Sequence, residues 1–321
     1  MKIKEISYPF DFKSIHRTPI VLALGFFDGV HKGHQAVIKA AKSEAVRRKI
    51  PLAVMTFDRL PRILHQELNP SKVKYLTNWK RKAELLEELG VDILFYAHYN
   101  EDFASLKPQD FVDQFIVALK TKCVVAGFDY TYGKAEFANM KTLPIHAKGR
   151  FEIIEIPEQT INKHKIGSRT IIEALNKGMI ELANDELGYI YQNHGIVIHG
   201  QKRGRTIGFP TANLKIDSQE VIPGLGVYIT ECFYEGIWYP SMTSVGYNVT
   251  FQDNHPLSVE TNIFDFDKMI YGEEVKLRWY KYMRSEKKFN SIEDLIHQLK
   301  VDELVARKYF SRIKDNDFST L

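Results

Sequence analysis

The stretch Ile20-Val21-Leu22-Ala23-Leu24-Gly25-Phe26-Phe27-Asp28-Gly29-Val30-His31-Lys32-Gly33-His34 decides the architecture of the first half of the chain. Its apolar run reads as a strand, its glycine-containing segment as a loop, and the periodicity from His34 to Arg48 as a helix. Further apolar runs at 52–57, 91–96, 123–127 and 151–156 alternate with helical patterns at 78–89 and 108–119. Leu85, Leu86 and Leu89 share one stripe, as do Phe111, Phe115 and Leu119. Strand, helix, strand in repetition predicts an α/β, Rossmann-like domain with a mostly parallel sheet.

A helical stretch at 171–187 ends at Gly188, and beyond it the period changes to alternation. Strands are predicted at 195–199, 227–233, 238–245, 257–264 and 275–280, separated by Gly, Pro and Asn and followed by one helix at 291–310. This pattern predicts a small antiparallel β-barrel with a terminal helix. The expected domains are 1–188 and 189–321.

The 321 residues suit two domains, and 44% hydrophobic with 26% charged residues is ordinary globular composition. With 44 basic against 40 acidic residues, the net charge of +4 is too balanced for an extended nucleic-acid face, so no nucleic-acid partner is expected. Cys123 and Cys232 each sit in an apolar run and read as small buried hydrophobes. No stretch reaches the ~20 apolar residues of a membrane helix, and the first residues carry no apolar leader core. A cytoplasmic protein without a membrane partner is expected.

His31 and His34 stand at the start of a helix, where unpaired N–H groups and the helix dipole favour phosphate. Gly33 removes a side chain that would block close approach. Histidines so placed can donate to phosphoryl oxygens as charge builds in a transition state. Zinc binding is the rival reading, but matching ligands are not evident nearby in sequence. No Gly-x-Gly-x-x-Gly follows the first strand and no Walker-type Gly-x-x-x-x-Gly-Lys-Ser/Thr occurs.

In the second half, Gly200-Gln201-Lys202-Arg203-Gly204-Arg205-Thr206-Ile207-Gly208-Phe209-Pro210-Thr211-Ala212-Asn213 interleaves glycines with cations. Gly200, Gly204 and Gly208 allow backbone N–H groups to turn toward a phosphate that Lys202 and Arg205 neutralise. Thr211 and Asn213 offer hard oxygen donors suited to Mg²⁺ on nucleotide phosphates. Downstream, strand alternation sets Glu260 on the face opposite Val259 and Thr261.

Taken together, residues 25–35, Thr56-Phe57-Asp58-Arg59-Leu60-Pro61-Arg62 and Gly127-Phe128-Asp129-Tyr130-Thr131-Tyr132-Gly133 resemble three ordered motifs of the bacterial bifunctional riboflavin kinase/FMN adenylyltransferase (FAD synthetase) family. The glycine-rich segment ending at Asn213 resembles the riboflavin kinase signature of the same family. The resemblance spans about residues 15 to 310. It implies phosphorylation of riboflavin by ATP to FMN, then adenylylation of FMN to FAD with release of pyrophosphate.

In the nucleotidyltransferase domain the resemblance places ATP phosphates on His31 and His34, within a loop of Gly25, Asp28, Gly29 and Gly33. Gly127, Asp129 and Gly133 help bind nucleotide and flavin, and Ser168, Arg169 and Thr170 complete the phosphate side. In the kinase domain it implies Glu260 as base for the ribityl 5′-hydroxyl, Thr211 and Asn213 as Mg²⁺ ligands, and Pro210 and Arg284 on the flavin side. Four departures stand out: Phe26 for Asn, Thr131 for Arg, Ile172 for Arg, and Asn262 for His. A fifth is Gly246-Tyr247-Asn248-Val249-Thr250-Phe251, where Gly-x-Arg-Pro-Thr-Phe is usual. Arg169 is the neighbouring cation that could stand in for the arginine lost at Ile172. A riboflavin kinase with a weak or inactive adenylyltransferase domain, and a non-catalytic flavin- or nucleotide-binding regulator, are the alternatives.

Overall fold

In the computed structural model, the structure describes residues 1–9, 18–61, 63, 69, 72–161, 164–200, 203–247 and 257–318. Lys202, Arg62 and residues 248–251 of the sequence motifs lie outside the described residues. The chain forms two compact units, Met1–Ser168 and Arg169–Leu321.

The first unit is built on β1 (Lys2–Ser7), β2 (Ile20–Leu24), β3 (Leu52–Phe57), β4 (Ile93–His98), β5 (Thr121–Gly127) and β6 (Glu152–Ile156). These make one sheet in the order β1-β4-β3-β2-β5-β6, with every pairing parallel. All of β2 and β3 is buried, as a parallel sheet covered on both faces requires. β1 was not foreseen. Its Lys-Ile-Lys-Glu-Ile-Ser is mostly exposed and buries little beyond Ile6, so as an edge strand it lacks an apolar run.

Helix α1 (Lys32–Arg48) follows β2, and α2 (Trp79–Glu88) is capped by Asn78, whose side chain accepts from the Arg81 N–H at 2.8 Å. The helix expected over 108–119 starts as α3 (Pro108–Phe111) but continues as a π-helical turn, Val112–Val117. There Phe111 stacks on Phe115 at 5.6 Å. Because β3 and β4 lie on one side of β2 and β5 and β6 on the other, the winding reverses between β2 and β5. In open α/β sheets the crevice at the carboxyl ends of such strands is where ligands bind.

The second unit is a closed antiparallel barrel in the order β10-β13-β12-β11-β14-β9. Its strands are β9 (Gln192–Ile198), β10 (Ala212–Ile216), β11 (Gly226–Tyr234), β12 (Ile237–Tyr247), β13 (Leu257–Ile263) and β14 (Glu274–Arg284). β10 was not foreseen; it starts in the last two residues of the glycine-rich motif and runs on to Ile216. The helix expected over 171–187 is two helices, α4 (Ser168–Asn176) and α5 (Ile180–Leu187), broken at Gly178 with φ +71°. A side chain at that glycine would meet the Tyr282 ring at 2.9 Å.

The division between the units falls at Ser168/Arg169, ahead of the boundary expected at 188. The reason is local: Asn184 donates to the Trp279 carbonyl of β14 at 2.9 Å, and Lys281 pairs with Glu181 at 2.8 Å. Gly188 ends α5 in the left-handed conformation, where glycine was expected to stop it. The last helix, α6 (Ile292–Phe318), buries Ala306 and Phe310 with Phe209, Met242 and Phe264 of the barrel.

Candidate functional site

Leaving β2, the chain turns at Gly25, where a side chain would lie 2.8 Å from the Phe27 ring. Phe27 and Val30 hold positive φ angles of 55° and 38°, a conformation costly for bulky side chains and characteristic of functional loops. Asp28 points inward: its carboxylate accepts from the N–H groups of Leu76 at 3.0 Å and Thr77 at 3.3 Å, and burial raises its pKa. Gly29 N–H donates to Thr77 Oγ1 at 3.1 Å, and Ser168 Oγ donates to the Asp28 carbonyl at 3.1 Å. Asp28 and Ser168 thus shape the loop between β2 and α1 through contacts of their own.

His31 caps α1, its Nδ1 accepting from the His34 N–H at 3.3 Å, which leaves the ring proton on Nε2 as a donor. The His31 and His34 rings stack at 3.6 Å. Burial lowers His31 to about 4, partly opposed by the Asp129 charge, and burial also holds His34 well below its usual value, with His31 and Lys82 acting in the same direction. Both rings are therefore neutral donors near pH 7, arranged without repulsion between them. A side chain on Gly33 would press the His31 ring at 3.2 Å.

β5 ends at Gly127, and Asp129 just beyond it is near enough for its charge to act on His31, whereas the nearest neighbours of Gly133 are Ala138 and Pro108. Asp129 pairs with Lys165 at 2.9 Å, and the Lys165 ammonium lies 4.6 Å from the Phe128 ring. Lys165 stands on a two-stranded hairpin, β7 (Thr160–Ile161) and β8 (His164–Lys165). Arg169, expected as a stand-in cation, has a side chain 92% exposed and donates to Glu173 at 3.1 Å. Thr170 Oγ1 donates to Glu186 at 2.8 Å.

Sequence reasoning missed Lys82 and Lys165. Lys82 had a signal: it falls on the apolar stripe of α2, three and four residues before Leu85 and Leu86, where a lysine does not belong without a task. Lys165 had none, because only the hairpin brings it to Asp129.

In the barrel, a side chain on Gly204 would lie 2.1 Å from the Phe209 carbonyl oxygen, and one on Gly200 would lie 2.1 Å from Asn213 Nδ2. Gly208 holds φ +84°. These glycines fold the loop tightly onto the start of β10. Arg205 donates to the Tyr271 hydroxyl at 3.1 Å, and the His199 ring lies 4.0 Å from that of Tyr271.

Asn213 and Glu260 are register partners on β10 and β13, and Thr211 Oγ1 donates to Glu260 Oε2 at 3.3 Å. Asn262 Nδ2 donates to the Pro210 carbonyl at 2.7 Å, which gives this departure a structural task. Alternation along β13 separates two cavities. Glu260 and Asn262 line one of about 330 Å³, shared with Met242, Arg284, Phe289 and Leu295. Thr261 and Ile263 line a second with Pro210, Arg205 and Tyr271, and Thr211 borders both. Arg284 meets the first cavity while its guanidinium pairs with Asp302 at 2.7 Å. Among the described residues no three His, Cys, Asp or Glu side chains gather as a metal cluster.

The family described as FAD synthetase matches residues 13–170, and that described as riboflavin kinase matches residues 187–310. This is the class of a nucleotidyl-transferring α/β unit joined in one chain to a flavokinase barrel. The bifunctional riboflavin kinase/FMN adenylyltransferase of Listeria monocytogenes is 48% identical over 295 residues, covering 92% of this chain and 94% of that protein. The protein of the same description from Bacillus subtilis is 42% identical over 98% of this chain and all of its own length. The chain belongs to the bifunctional riboflavin kinase/FMN adenylyltransferase family. A solved structure described as a macrolide-efflux protein from Streptococcus pneumoniae is also similar, with a TM-score of 0.87 at 37% identity, covering 94% of this chain and 98% of that one. Among the described residues no helix of the present chain is long and apolar enough to cross a membrane.

Proposed function

We propose that the barrel phosphorylates the 5′-hydroxyl of riboflavin with ATP, and that the α/β unit transfers AMP from a second ATP to the resulting FMN, releasing pyrophosphate. The observation that carries the reading is the meeting of two cavities at Thr211 with Glu260 beside it: one cavity is large and partly apolar, the other carries Arg205. Riboflavin would occupy the first and ATP the second. The hydroxyl oxygen forms its bond to the γ-phosphorus as the bond to ADP breaks, and Glu260 accepts the hydroxyl proton.

The Thr211 hydroxyl and the Asn213 side-chain carbonyl are hard oxygen donors and fit Mg²⁺, which when bound supplies charge neutralisation on the phosphate oxygens. Pro210 orients this edge through its bond from Asn262. In the other unit a phosphate oxygen of FMN attacks the α-phosphorus of ATP and pyrophosphate leaves. His31, with its proton on Nε2, and His34 donate to the phosphoryl oxygens, and no covalent enzyme intermediate forms. Adenylyl transfer is assigned to the unit that carries residues 13–170 of the FAD synthetase match and phosphorylation to the barrel that carries residues 187–310 of the riboflavin kinase match. The buried, unpaired thiols of Cys123 and Cys232 suit a reducing cytosol.

The test is incubation with riboflavin, ATP and Mg²⁺, with chromatographic separation of riboflavin, FMN and FAD. Glu260→Gln should slow FMN formation by roughly a hundredfold or more and leave FAD formation from supplied FMN intact; His31→Ala should do the reverse. FMN without FAD would favour a kinase with an inactive first unit, and no product from either flavin would overturn both activities.

A further inference from the structure

Lys82 is 5% exposed, yet none of the roles assigned to the site uses it. Its ammonium donates to the Phe26 carbonyl at 3.0 Å and lies 4.1 Å from the centre of the Phe26 ring. The same carbonyl accepts from Thr56 Oγ1 at 2.7 Å. Phe26 opens the phosphate loop, so Lys82 ties α2 to the residue that sets the loop's course. Phe26 is also the residue that replaces the usual asparagine, and its ring supplies a cation–π face in the same place.

Among the described residues the ionisable groups facing Lys82 are few. Asp28 on the loop attracts it, and His34 on α1 feels its charge, with His31 stacked behind. Tyr75 lies across Phe26 at 5.8 Å between ring centres. Arg81, next on α2, turns away to Glu84 at 3.0 Å.

We propose that Lys82 is a positioning residue for adenylyl transfer, an interior cation that fixes the Phe26–Asp28 turn beside His34. The inference rests on the adenylyltransferase reading given above. Burial is the main reason the His34 ring stays neutral, and repulsion of a protonated ring by His31 and then by the Lys82 charge adds to it, so its stacking on His31 stays undisturbed. Asp28 balances the buried ammonium, which burial lowers to about 8. Lys82 is therefore half deprotonated at about pH 8, and the turn loses its cation as pH rises through that value.

The test combines kinetics with histidine NMR on the full chain. Conversion of supplied FMN to FAD by the parent should fall as pH rises through about 8. Lys82→Arg, whose charge does not titrate there, should retain its rate across that range. Lys82→Met should lower kcat by roughly tenfold or more with a smaller change in KM for ATP, and the ¹³C-labelled His34 ring should titrate at a higher pH than in the parent. An unchanged His34 titration in Lys82→Met, or an alkaline limb shared by parent and Lys82→Arg, overturns the proposal. Should Lys82→Met not fold, the comparison of parent with Lys82→Arg decides. Should the parent make no FAD at any pH, the adenylyltransferase reading fails, and the His34 titration still decides the role of Lys82.

Discussion

Replacing Arg284 by methionine should destabilise the barrel unit by about 3 kcal/mol. The Asp302 carboxylate is 3% exposed and accepts from Arg284 Nε at 3.0 and 3.1 Å and from Nη2 at 2.7 Å. Its other bond comes from Gln298 Nε2 at 2.9 Å. Removing one partner of a buried pair costs roughly 3–5 kcal/mol because a charge is left uncompensated. Gln298 persists, and the Arg284 side chain is 15% exposed, so the lower end applies. For a unit covering residues 169–321, each kcal/mol moves Tm by roughly 2–4 °C, giving a drop of about 6–12 °C.

Thermal unfolding would be followed by tryptophan emission in a Trp79→Phe background, which leaves Trp238 and the fully buried Trp279 of the barrel as reporters. The double variant Arg284→Met/Asp302→Leu should recover most of the loss, since an apolar pair of similar volume replaces a buried ion pair at little cost. The reasoning is refuted if Arg284→Met melts with its parent, or if the double variant melts no higher than the single one.

Gly204→Ala should lower riboflavin phosphorylation by roughly tenfold or more, because its Cβ would sit 2.1 Å from a backbone oxygen that cannot yield without moving the loop; parental kinetics would contradict this. His31 is held at about 4 against roughly 6.5 in an unfolded chain, so its neutral form favours folding above about pH 6.5 and this contribution, roughly 3 kcal/mol, is lost as pH falls toward 4. His31→Gln should thus lose less stability over that range in acid titrations than the parent; equal losses would show that His31 is not the group responsible. Burial raises the Cys123 thiol to about 11 and that of Cys232 to about 12. Iodoacetamide at mildly alkaline pH should leave the native protein unmodified by mass and label both thiols in denaturant, and rapid native labelling would place them at the surface.

Much of the candidate site was legible because chemistry and local geometry coincide in short segments. A strand ending in glycine before His31 and His34 can only present those residues at a helix start. The glycines before Thr211 and Asn213 likewise mark a tight loop whatever the rest of the chain does. What was not legible depended on residues far apart in sequence. The motif places Asp28 in the loop after β2, but that Leu76 and Thr77 donate to its carboxylate is seen only in the fold. Asn262 reads as a departure until its bond to Pro210 is seen.

The amino-acid sequence by itself determined the change from helical period to strand alternation near Gly188 and the two phosphate-type loops, since these rest on period and on adjacent residues, while the pairing of two chemistries in one chain came from the resemblance of its motifs to a family. Only the tertiary structure decided that β1 closes the edge of the parallel sheet, that α4 and α5 pack with the barrel, and that Lys82 lies beneath the histidine loop. Each of these is settled by long-range burial: an exposed edge strand, a helix bonded to a distant strand and a lysine on an apolar stripe acquire their meaning only from what covers them.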